Sequence, residues 1–226
     1  MALSLLIVVL HYSGVPDTLA CLASLAGEVS DAVQVVVIDN GSGEHLRAAI
    51  AGSYPWAEII DLPENLGWSG GNNVGIGIAQ RRGYDLVCLL NNDTVVPSGT
   101  FARLVQTAAA IGPCVLHPLI YSYGCADEAQ FDPILPHPPE MIATPAADLP
   151  GVFAVDMVHG ACLLAHVAVF DGIGLIDERF FLLCEDADLG RRARVARFTL
   201  YCDTGARIEH KESRAFGGKR TPMKTY

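Results

Sequence analysis

The sequence has little charge, and most of that charge is negative. Only 18% of its 226 residues are charged, and 15 Lys+Arg are outnumbered by 25 Asp+Glu, which gives a formal net charge of -10 at pH 7. Because nucleic acids and anionic lipid surfaces bind basic proteins, this balance argues against nucleic acid as a partner. At 51% hydrophobic residues, the chain has enough apolar side chains for a large core, which excludes general disorder.

The seven cysteines form no recognisable metal or redox motif. No two are spaced as C-x-x-C, and no group of cysteines and histidines has the spacing of a zinc site. Most of the cysteines lie inside apolar runs, which is typical of buried free thiols in a reducing compartment. We therefore predict a cytoplasmic protein without disulfides.

The sequence also lacks a membrane-spanning run and two common nucleotide fingerprints. Leu3–Leu10 is too short to cross a bilayer, lacks the basic flank of a signal peptide, and is typical of a strand buried on both faces. The glycine-rich stretch Asn65–Asn73 is not followed by the Gly-Lys-Ser/Thr of a P-loop. No G-x-G-x-x-G follows the first predicted strand, so an NAD(P)-binding domain is not favoured.

Apolar runs alternate with helical patterns along the first half of the chain. The predicted strands are Leu5–Leu10, Val33–Ile38, Glu58–Asp61, Leu86–Leu90 and Cys114–Ile120, and the predicted helices are Asp17–Ala26 with Asp17 as its cap, Glu44–Ala51 and Ser98–Ala110, with residues 65–82 glycine-rich at first and then helical. This alternation predicts an α/β fold built on an open, mostly parallel twisted sheet with helices on both faces.

The second half of the chain is less regular. Residues 121–150 are rich in proline, which predicts a long surface loop or lid. Further short elements are predicted as strands at Val152–Val158, Ala161–Ala165, Thr199–Cys202 and Ala206–Glu209, and as a basic helix from Leu189 to about Arg197. No linker divides the chain, so we expect one domain.

Polar clusters follow three predicted strands directly. They are His11–Ser13, Asp39–Asn40 and Asn91–Asp93. Because ligands of open α/β sheets bind outside the carboxyl ends of the strands, we expect these clusters to face one rim.

Each candidate at this rim also has an ordinary structural interpretation. Asp39 can form an Asx turn, or it can accept the imide N–H of a pyrimidine base or a ribose hydroxyl. Asn65–Asn73 can begin a helix packed tightly on the sheet, or it can approach a phosphate closely with its backbone. Asn91–Asp93 can be a turn, or it can hold Mg²⁺ or Mn²⁺ together with substrate phosphates.

A second group of candidates lies near the C-terminus. Asp188 with Arg192 is an ordinary surface pair on a helix, whereas Glu185 and Asp186 follow an apolar run that can raise their basicity. His210 ends a predicted strand, although a lone histidine is usually structural. It is followed by a basic tail, Lys211–Tyr226, whose Gly217-Gly218 pair suits a loop that closes over a diphosphate.

Six stretches of the sequence, taken in order, resemble the inverting glycosyltransferases of family 2 with the GT-A fold. The resemblance is closest to the rhamnosyltransferase-like branch, which uses nucleotide sugars. The stretches are Val35–Ser42 (VVVIDNGS), Asn65–Ile76 (NLGWSGGNNVGI), Leu89–Val96 (LLNNDTVV), Gly160–Leu164 (GACLL), Gly174–Leu189 (GLIDERFFLLCEDADL) and His210–Gly218 (HKESRAFGG).

The resemblance implies a nucleotide-sugar donor of the dTDP or UDP type and residues that bind it. Tyr12 would lie against the nucleobase, Asp39 would contact the base or ribose, and Asn72 or Asn73 would line the donor pocket. It also implies that residues 1–97 of a single domain, 1–226, form the nucleotide-sugar-binding half. Residues 98–226 would form the acceptor and catalytic half.

The resemblance further implies a divalent cation and a catalytic base. Asp93 is similar to the metal-binding acid of the family, with Asn92 beside it, and His210 is similar to the histidine that completes the metal shell. Asp186 matches the general base, with Glu185 supporting it or binding the acceptor. A single displacement needs such a base and a cation for the departing diphosphate.

Two departures from the family pattern leave an alternative open. Asn92 stands where an acid is usual, which predicts low metal affinity. The chain ends at Thr221–Tyr226, where relatives commonly continue into helices that contact acceptor or membrane. The acceptor is expected to be a saccharide or another hydroxyl, with a lipid-linked acceptor and peripheral attachment to the inner face of the membrane as options. The alternative is a sugar-nucleotide-binding module without transfer activity.

Overall fold

The computed structural model describes residues 3–125, 129–131, 143–146 and 148–211 of the chain. The strands are β1 (Leu5–His11), β2 (Val33–Asp39), β3 (Ala57–Asp61), β4 (Leu86–Asn91), β5 (Thr94–Val95), β6 (Cys114–Ser122), β7 (Ala129–Phe131), β8 (Ala143–Pro145), β9 (Val152–Val155), β10 (Cys162–His166) and β11 (Thr199–His210). The helices are α1 (Val15–Leu25), α2 (Leu46–Ala51), α3 (Gly67–Arg82), α4 (Thr100–Ile111), α5 (Val167–Ile173) and α6 (Glu185–Val195).

One sheet runs through the whole fold, in the order β3-β2-β1-β4-β10-β6-β11-β9-β8. The strands β3, β2, β1 and β4 are parallel, as predicted from their alternation with helices. Beyond β4 the sheet is mixed, because β10 runs antiparallel to both of its neighbours. The predicted α/β fold with an open sheet and helices on both faces is confirmed, with the parallel order confined to the first half and to the β6–β11 pair.

The continuous apolar runs are the strands that are covered on both faces. Every residue of β1 is buried, and β4 is buried from Leu86 to Leu90. Strands buried on both faces read as continuous rather than alternating hydrophobic runs. The boundaries of β1, β2, β3 and β4 accordingly lie within one residue of the predicted ones.

Helix α3 begins earlier than the sequence indicates. The glycine-rich stretch is helical from Gly67, although glycine disfavours helix. A methyl group on Gly71 would overlap Leu10, and one on Gly75 would overlap Val8. These glycines therefore let α3 lie against β1, which supports the structural interpretation of the stretch.

Other predicted elements differ in position or extent. Helix α1 is preceded by Gly14 in the left-handed region, so Asp17 lies in the first turn and is not the cap. The predicted basic helix from Leu189 is part of α6, which begins at Glu185, so that Glu185, Asp186 and Asp188 lie at its start, as expected; α5 was not predicted. The two strands predicted at residues 199–209 are one strand, β11, whose pairing with β6 is irregular between Asp203 and Arg207.

Several further expectations concern the chain as a whole. All seven cysteines are free thiols; five of them are buried, as predicted, whereas Cys125 and Cys184 are exposed. In the described part of residues 121–150, the predicted loop contains the end of β6 and the strands β7 and β8; residues 126–128, 132–142 and 147 lie outside that part, as does the predicted basic tail after Lys211. None of the helices in the described ranges has the length and apolarity needed to cross a bilayer.

Candidate active site

The carboxyl ends of β1, β2 and β4 lie side by side, as predicted, and form what we call the rim. His11 pairs with Asp39 across β1 and β2, and Leu10 pairs with Asn91 across β1 and β4. Asp39 is buried, whereas Tyr12 is 44% exposed. The three polar clusters therefore meet at one edge, where open sheets bind ligands.

Asp39 makes a local side-chain-to-backbone hydrogen bond of the cap-like kind that its sequence context allows, three residues along the chain. Its Oδ1 accepts the backbone N–H of Ser42 at 2.9 Å. This bond uses one of the two carboxylate oxygens. The contact with the nucleobase or ribose stays a prediction, and it would be made by the other oxygen.

Asn40 is a residue of the rim whose role the sequence reasoning missed. Its amide nitrogen donates to Asn65 Oδ1 at 2.9 Å and to the carbonyl of Gly67 at 3.0 Å, and its oxygen accepts the N–H of Leu66 at 3.0 Å. Asn40 is 1% exposed. It therefore fixes the entry into α3, and only its position directly after Asp39 could have indicated it.

Asn92 faces the loop between β1 and α1. Its amide nitrogen donates to the carbonyl of Ser13 at 3.0 Å and to Thr18 Oγ1 at 2.8 Å, and Thr18 Oγ1 lies 2.7 Å from His11 Nδ1. A carboxylate cannot donate to a carbonyl, so an asparagine at this position holds the loop where an aspartate could not. The His11 ring is fully buried, which lowers its pKa, and its Nε2 lies 3.3 Å from Glu44 Oε2.

The two asparagines of α3 have different surroundings. Asn73 makes two hydrogen bonds with the backbone of Ile176, at 2.9 and 3.0 Å, and donates to Glu178 Oε1 at 3.0 Å, which does not favour a role in donor binding. Asn72 donates to the carbonyl of Trp68, and its buried Oδ1 has no hydrogen-bond partner within the described chain. Asn72 is therefore the better donor-pocket candidate of the pair.

Asp93 and His210 come together from distant parts of the sequence. His210 Nε2 lies 3.2 Å from Asp93 Oδ1, and the backbone N–H of Lys211 donates to the Asp93 carbonyl at 2.9 Å. The Lys211 ammonium pairs with Asp17 at 2.7 Å and lies 5.1 Å from the centroid of the Tyr123 ring. The first cation of the predicted tail is thus paired with α1 and fixes the end of β11.

Only part of a metal shell exists at Asp93. The residues that the structure describes include no group of three or more His, Cys, Asp or Glu that could hold a metal ion. The carboxylate of Asp93 and the imidazole of His210 are ligand types that Mn²⁺ accepts, whereas the amide nitrogen of Asn92 is not. The pair therefore fits a divalent cation whose other ligands come from substrate or water.

Glu185 and Asp186 occupy the first turn of α6. Asp186 accepts the backbone N–H of Gly160 through Oδ2 at 3.1 Å and that of Ala187 through Oδ1 at 2.8 Å. Glu185 is 6% exposed, and its Oε2 has no hydrogen-bond partner among the described residues. Burial, with a smaller contribution from the charge of Asp186, raises the pKa of Glu185 to about 7.

A two-residue bridge joins the Asp93 pair to Asp186. The ring of His159 packs edge-on against His210, with centroids 5.9 Å apart, and the next residue, Gly160, donates to Asp186. Because consecutive Cα atoms are only about 3.8 Å apart, Asp93 and Asp186 must lie on the same side of the molecule.

One shallow groove of the surface lies elsewhere. It is lined by Ala154–Asp156, Arg194 and Arg197–Leu200. These residues surround the start of β11, whereas His210 ends that strand, about 30 Å away along it.

The segment before α6, residues 176–184, is here called the strap. It docks on the start of α3, where Trp68 N–H donates to the Phe181 carbonyl at 2.8 Å and the Ser69 hydroxyl donates to the Phe180 carbonyl. Phe181 and Leu183 are each 53% exposed. Leu183 and Cys184 both have positive φ, 71° and 70°, which strains the backbone directly before the two carboxylates.

The comparisons with known proteins bear on the family and the fold of the chain. The family model described as Glycosyl transferase family 2 matches residues 6–173. A protein of Mycobacterium tuberculosis, N-acetylglucosaminyl-diphospho-decaprenol L-rhamnosyltransferase, is 28% identical over 233 residues, which cover 91% of this chain and 75% of the relative.

Two solved structures show the same fold at low sequence identity. GalNAc-T7 with UDP, GalNAc and Mn²⁺ superposes with a TM-score of 0.73 at 14% identity, over 92% of this chain and 43% of the other. The mannosyltransferase PcManGT of Pyrobaculum calidifontis, with GDP-Man and Mn²⁺, gives 0.67 at 12% identity, over 92% and 56%. The chain thus spans about half the length of these solved chains, and the GT-A fold expected from the sequence is confirmed.

Proposed function

We propose that this chain, which belongs to glycosyl transferase family 2, transfers a sugar from a dTDP- or UDP-type nucleotide sugar to an acceptor hydroxyl with inversion at the anomeric carbon. The observation that carries the proposal is the bridge His159–Gly160. It brings an acid with a histidine partner, Asp93, and a backbone-oriented carboxylate, Asp186, to one side of the molecule.

The donor half, residues 1–97, binds the nucleotide in this proposal. Tyr12, the exposed aromatic side chain of the rim, lies against the base, and Asp39 contacts the base or ribose. Asn72 offers a buried carboxamide oxygen to the donor sugar or ribose, and Asn92 shapes the site by holding the loop that carries Tyr12. This assignment is supported by the meeting of the three clusters at one rim.

Asp93 and His210 would hold a divalent cation, Mg²⁺ or Mn²⁺, together with the diphosphate. When bound, the cation would stabilise the negative charge that grows on the departing nucleoside diphosphate. Both solved structures described above contain Mn²⁺, which supports the proposal for this chain.

Asp186 acts as the general base in the acceptor half, residues 98–226. It takes the proton of the acceptor hydroxyl while that oxygen forms a bond to the anomeric carbon. The bond from this carbon to the diphosphate oxygen breaks, and its electron pair leaves with the nucleoside diphosphate. The N–H groups of Gly160 and Ala187 hold the carboxylate in one orientation. Glu185 offers to an acceptor hydroxyl the oxygen that has no hydrogen-bond partner in the described part of the chain.

The acceptor is a saccharide or another hydroxyl compound, and two observations favour one with an apolar part. Phe181 and Leu183 of the strap expose apolar side chains within a few residues of Asp186. The mycobacterial relative is named for a diphospho-decaprenol acceptor. A lipid-linked acceptor would bring the chain to the cytoplasmic face of a membrane as a peripheral protein.

Replacing Asp186 with asparagine tests the proposal. Loss of the base should lower the turnover number about 10²–10⁴-fold, while the shift in melting temperature produced by UDP or dTDP with Mn²⁺ should stay as in the wild type. Asp188→Asn on the same helix is the matched control, because Asp188 pairs with Arg192 instead. Full transfer activity in Asp186→Asn, or no nucleotide-dependent shift in the wild type, would overturn the proposal.

A second candidate is a sugar-nucleotide-binding module without transfer activity. It is favoured by Asn92, which supplies a neutral carboxamide where the family usually has an acid, and whose amide nitrogen is committed to Ser13 and Thr18. Release of nucleoside diphosphate from a donor by the wild type, suppressed by chelation, would decide against it.

A further inference from the structure

One side of α6 and its two ends expose arginines and apolar side chains together. At helical spacing, positions 184, 187, 191, 194 and 195 lie on one side of the helix, and all of them are exposed. Leu183, directly before them, is 53% exposed, and Val195 is 78% exposed. We call this surface the α6 face; it consists of Leu183, Cys184, Ala187, Arg191, Arg194, Val195 and Arg197.

The acids of α6 do not offset the arginines of the α6 face. Glu185 is buried, and Asp186 accepts two backbone N–H groups. Asp188 pairs with Arg192 at 2.7 Å. The chain as a whole has a formal net charge of -10, so a positive surface at this place stands out against an acidic body.

Two of these arginines have no structural partner. Cations near the C-terminus of a helix stabilise its dipole, and Arg194 also pairs with Asp156 at 2.8 Å. The guanidinium groups of Arg191 and Arg197, by contrast, make no hydrogen bond or ion pair within the described part of the chain. Arg197 lines the shallow groove beside Arg194, so the charges lie close together. Their exposed positions leave both arginines accessible to a partner.

We infer that the α6 face docks on an anionic lipid surface; this inference rests on the lipid-linked acceptor of the proposed function. Phosphate headgroups attract arginines, and apolar side chains such as Leu183 and Val195 enter the boundary between headgroups and acyl chains. Because Asp186 lies in the first turn of α6, docking would hold the proposed base close to the bilayer that carries the acceptor.

Sedimentation with vesicles measures this binding without donor or acceptor. The vesicles are phosphatidylcholine alone and an equal mixture with phosphatidylglycerol, each at low and high NaCl. We expect the wild type to bind only the mixed vesicles, and to bind them less at high salt because exposed charges are screened. Arg191→Gln combined with Arg197→Gln should weaken binding about 25-fold, or about fivefold for each arginine, and Val195→Ser should weaken it severalfold.

Arg47→Gln combined with Arg81→Gln is the matched control. It removes the same charge from exposed positions on α2 and α3, so it should leave vesicle binding close to that of the wild type. Equal losses in the two double variants would overturn the inference, because net charge alone would then explain the binding. Failure of the wild type to bind mixed vesicles, with binding to soluble poly-glutamate instead, would overturn it in favour of an acidic protein partner.

The melting temperature with UDP or dTDP and Mn²⁺, measured without vesicles, tests the proposed function separately. All the variants should keep the nucleotide-dependent shift of the wild type, since none of these positions belongs to the proposed donor site. If the wild type shows no shift, the proposed function fails, whereas vesicle binding that depends on Arg191 and Arg197 would still support the lipid-docking role of the α6 face. If the shift is present and the mixed vesicles are not bound, only the role of the α6 face is overturned.

Discussion

The rim and the strap both contact the start of α3 but are built in opposite ways. At the rim, polar side chains are buried and hydrogen-bonded to protein: Asn40 uses both ends of its carboxamide, and Asn92 donates to two acceptors. The strap exposes Phe181 and Leu183 and ends in two residues of positive φ. Directly after it comes Glu185, a buried carboxyl with an unpartnered oxygen among the described residues.

This difference indicates that the rim and the strap have different roles. A buried hydrogen-bonded network holds its shape, since every bond lost in a buried place costs free energy. A strained segment with exposed apolar side chains can still change its conformation and bury those side chains against a ligand. In the proposed function, the rim would therefore serve as a preformed donor site, and the strap would present the acceptor side.

Gly67 lies where the rim and the strap meet, and substituting it should have the largest effect on stability. Its φ is +73°, and a Cβ there would overlap the Phe181 carbonyl. Gly67→Ala should lower the free energy of unfolding by about 3–4 kcal/mol, because the left-handed conformation and the overlap both disfavour alanine. Urea denaturation measures the change.

Gly83→Ala is the matched control for Gly67→Ala. Gly83 has nearly the same φ, +72°, but no atom lies within 4 Å of the added Cβ. Its replacement should lower the free energy of unfolding by only about 1 kcal/mol. Equal losses in the two variants would mean that the strap does not press on the start of α3.

The start of α3 also shows where prediction from the sequence ends. Strands covered on both faces can be predicted from the sequence because their burial requires a continuous run of apolar residues, as at Leu5–His11. Residues 67–73 disfavour helix by local propensity, and they become helical because the missing side chains let the backbone pack on β1 and on the strap. That reason is a tertiary contact, which no local pattern contains.

In the candidate site, too, local features could be predicted from the sequence and tertiary contacts could not. The sequence placed the rim correctly because strand ends are local features. The pairing of Asp17 with Lys211, 194 residues apart, could not be inferred, and Asp17 was wrongly predicted as a helix cap. The residue type at Asn92 was evident, but only the structure shows that its amide nitrogen faces Ser13.

Replacing Asn92 with an acid should destabilise the rim rather than improve metal binding. In Asn92→Asp, a carboxylate would face the Ser13 carbonyl and the Thr18 hydroxyl, and the donor to Ser13 would be lost. We expect the free energy of unfolding to fall by about 2–3 kcal/mol, and the affinity for UDP or dTDP with Mn²⁺ to fall with it. Denaturation and calorimetry measure the two effects.

Asn91→Asp is the control for the change at Asn92. Asn91 Oδ1 accepts the Trp68 indole N–H at 2.9 Å, and a carboxylate can still accept that bond. The loss of stability should therefore be clearly smaller than in Asn92→Asp. A gain in Mn²⁺-dependent affinity in Asn92→Asp would contradict the structural role assigned to this amide.

The pH dependence of stability at Glu185 tests the strap side of the comparison between the rim and the strap. Its pKa of about 7 lies above the ordinary 4.5, so between these values the native state holds a proton that the unfolded chain has released. The contribution of this group to stability is thus fully present below about pH 4.5 and is lost as pH rises to about 7. Glu185→Gln, which cannot ionise, should gain about 2 kcal/mol relative to the wild type between pH 5 and pH 8.

Chemical denaturation at pH 5, 6, 7 and 8 gives the two stability curves for Glu185. Glu64→Gln, at an exposed position, supplies the control curve. If the curves of Glu185→Gln and the wild type stay parallel over this range, the carboxyl is not buried in the way that the structure describes.

Relief of the strain at the end of the strap should give the smallest effect and, unlike the changes at Gly67 and Asn92, should stabilise the protein. Cys184 has a φ of 70° directly before α6, a conformation that glycine adopts without penalty. Cys184→Gly should therefore raise the free energy of unfolding by up to about 1 kcal/mol. Cys125→Gly, at an exposed cysteine without positive φ, should bring no gain. Equal changes in melting temperature for the two variants would show that the strap stores no backbone strain before Glu185, and its contrast with the rim would then consist of exposure alone.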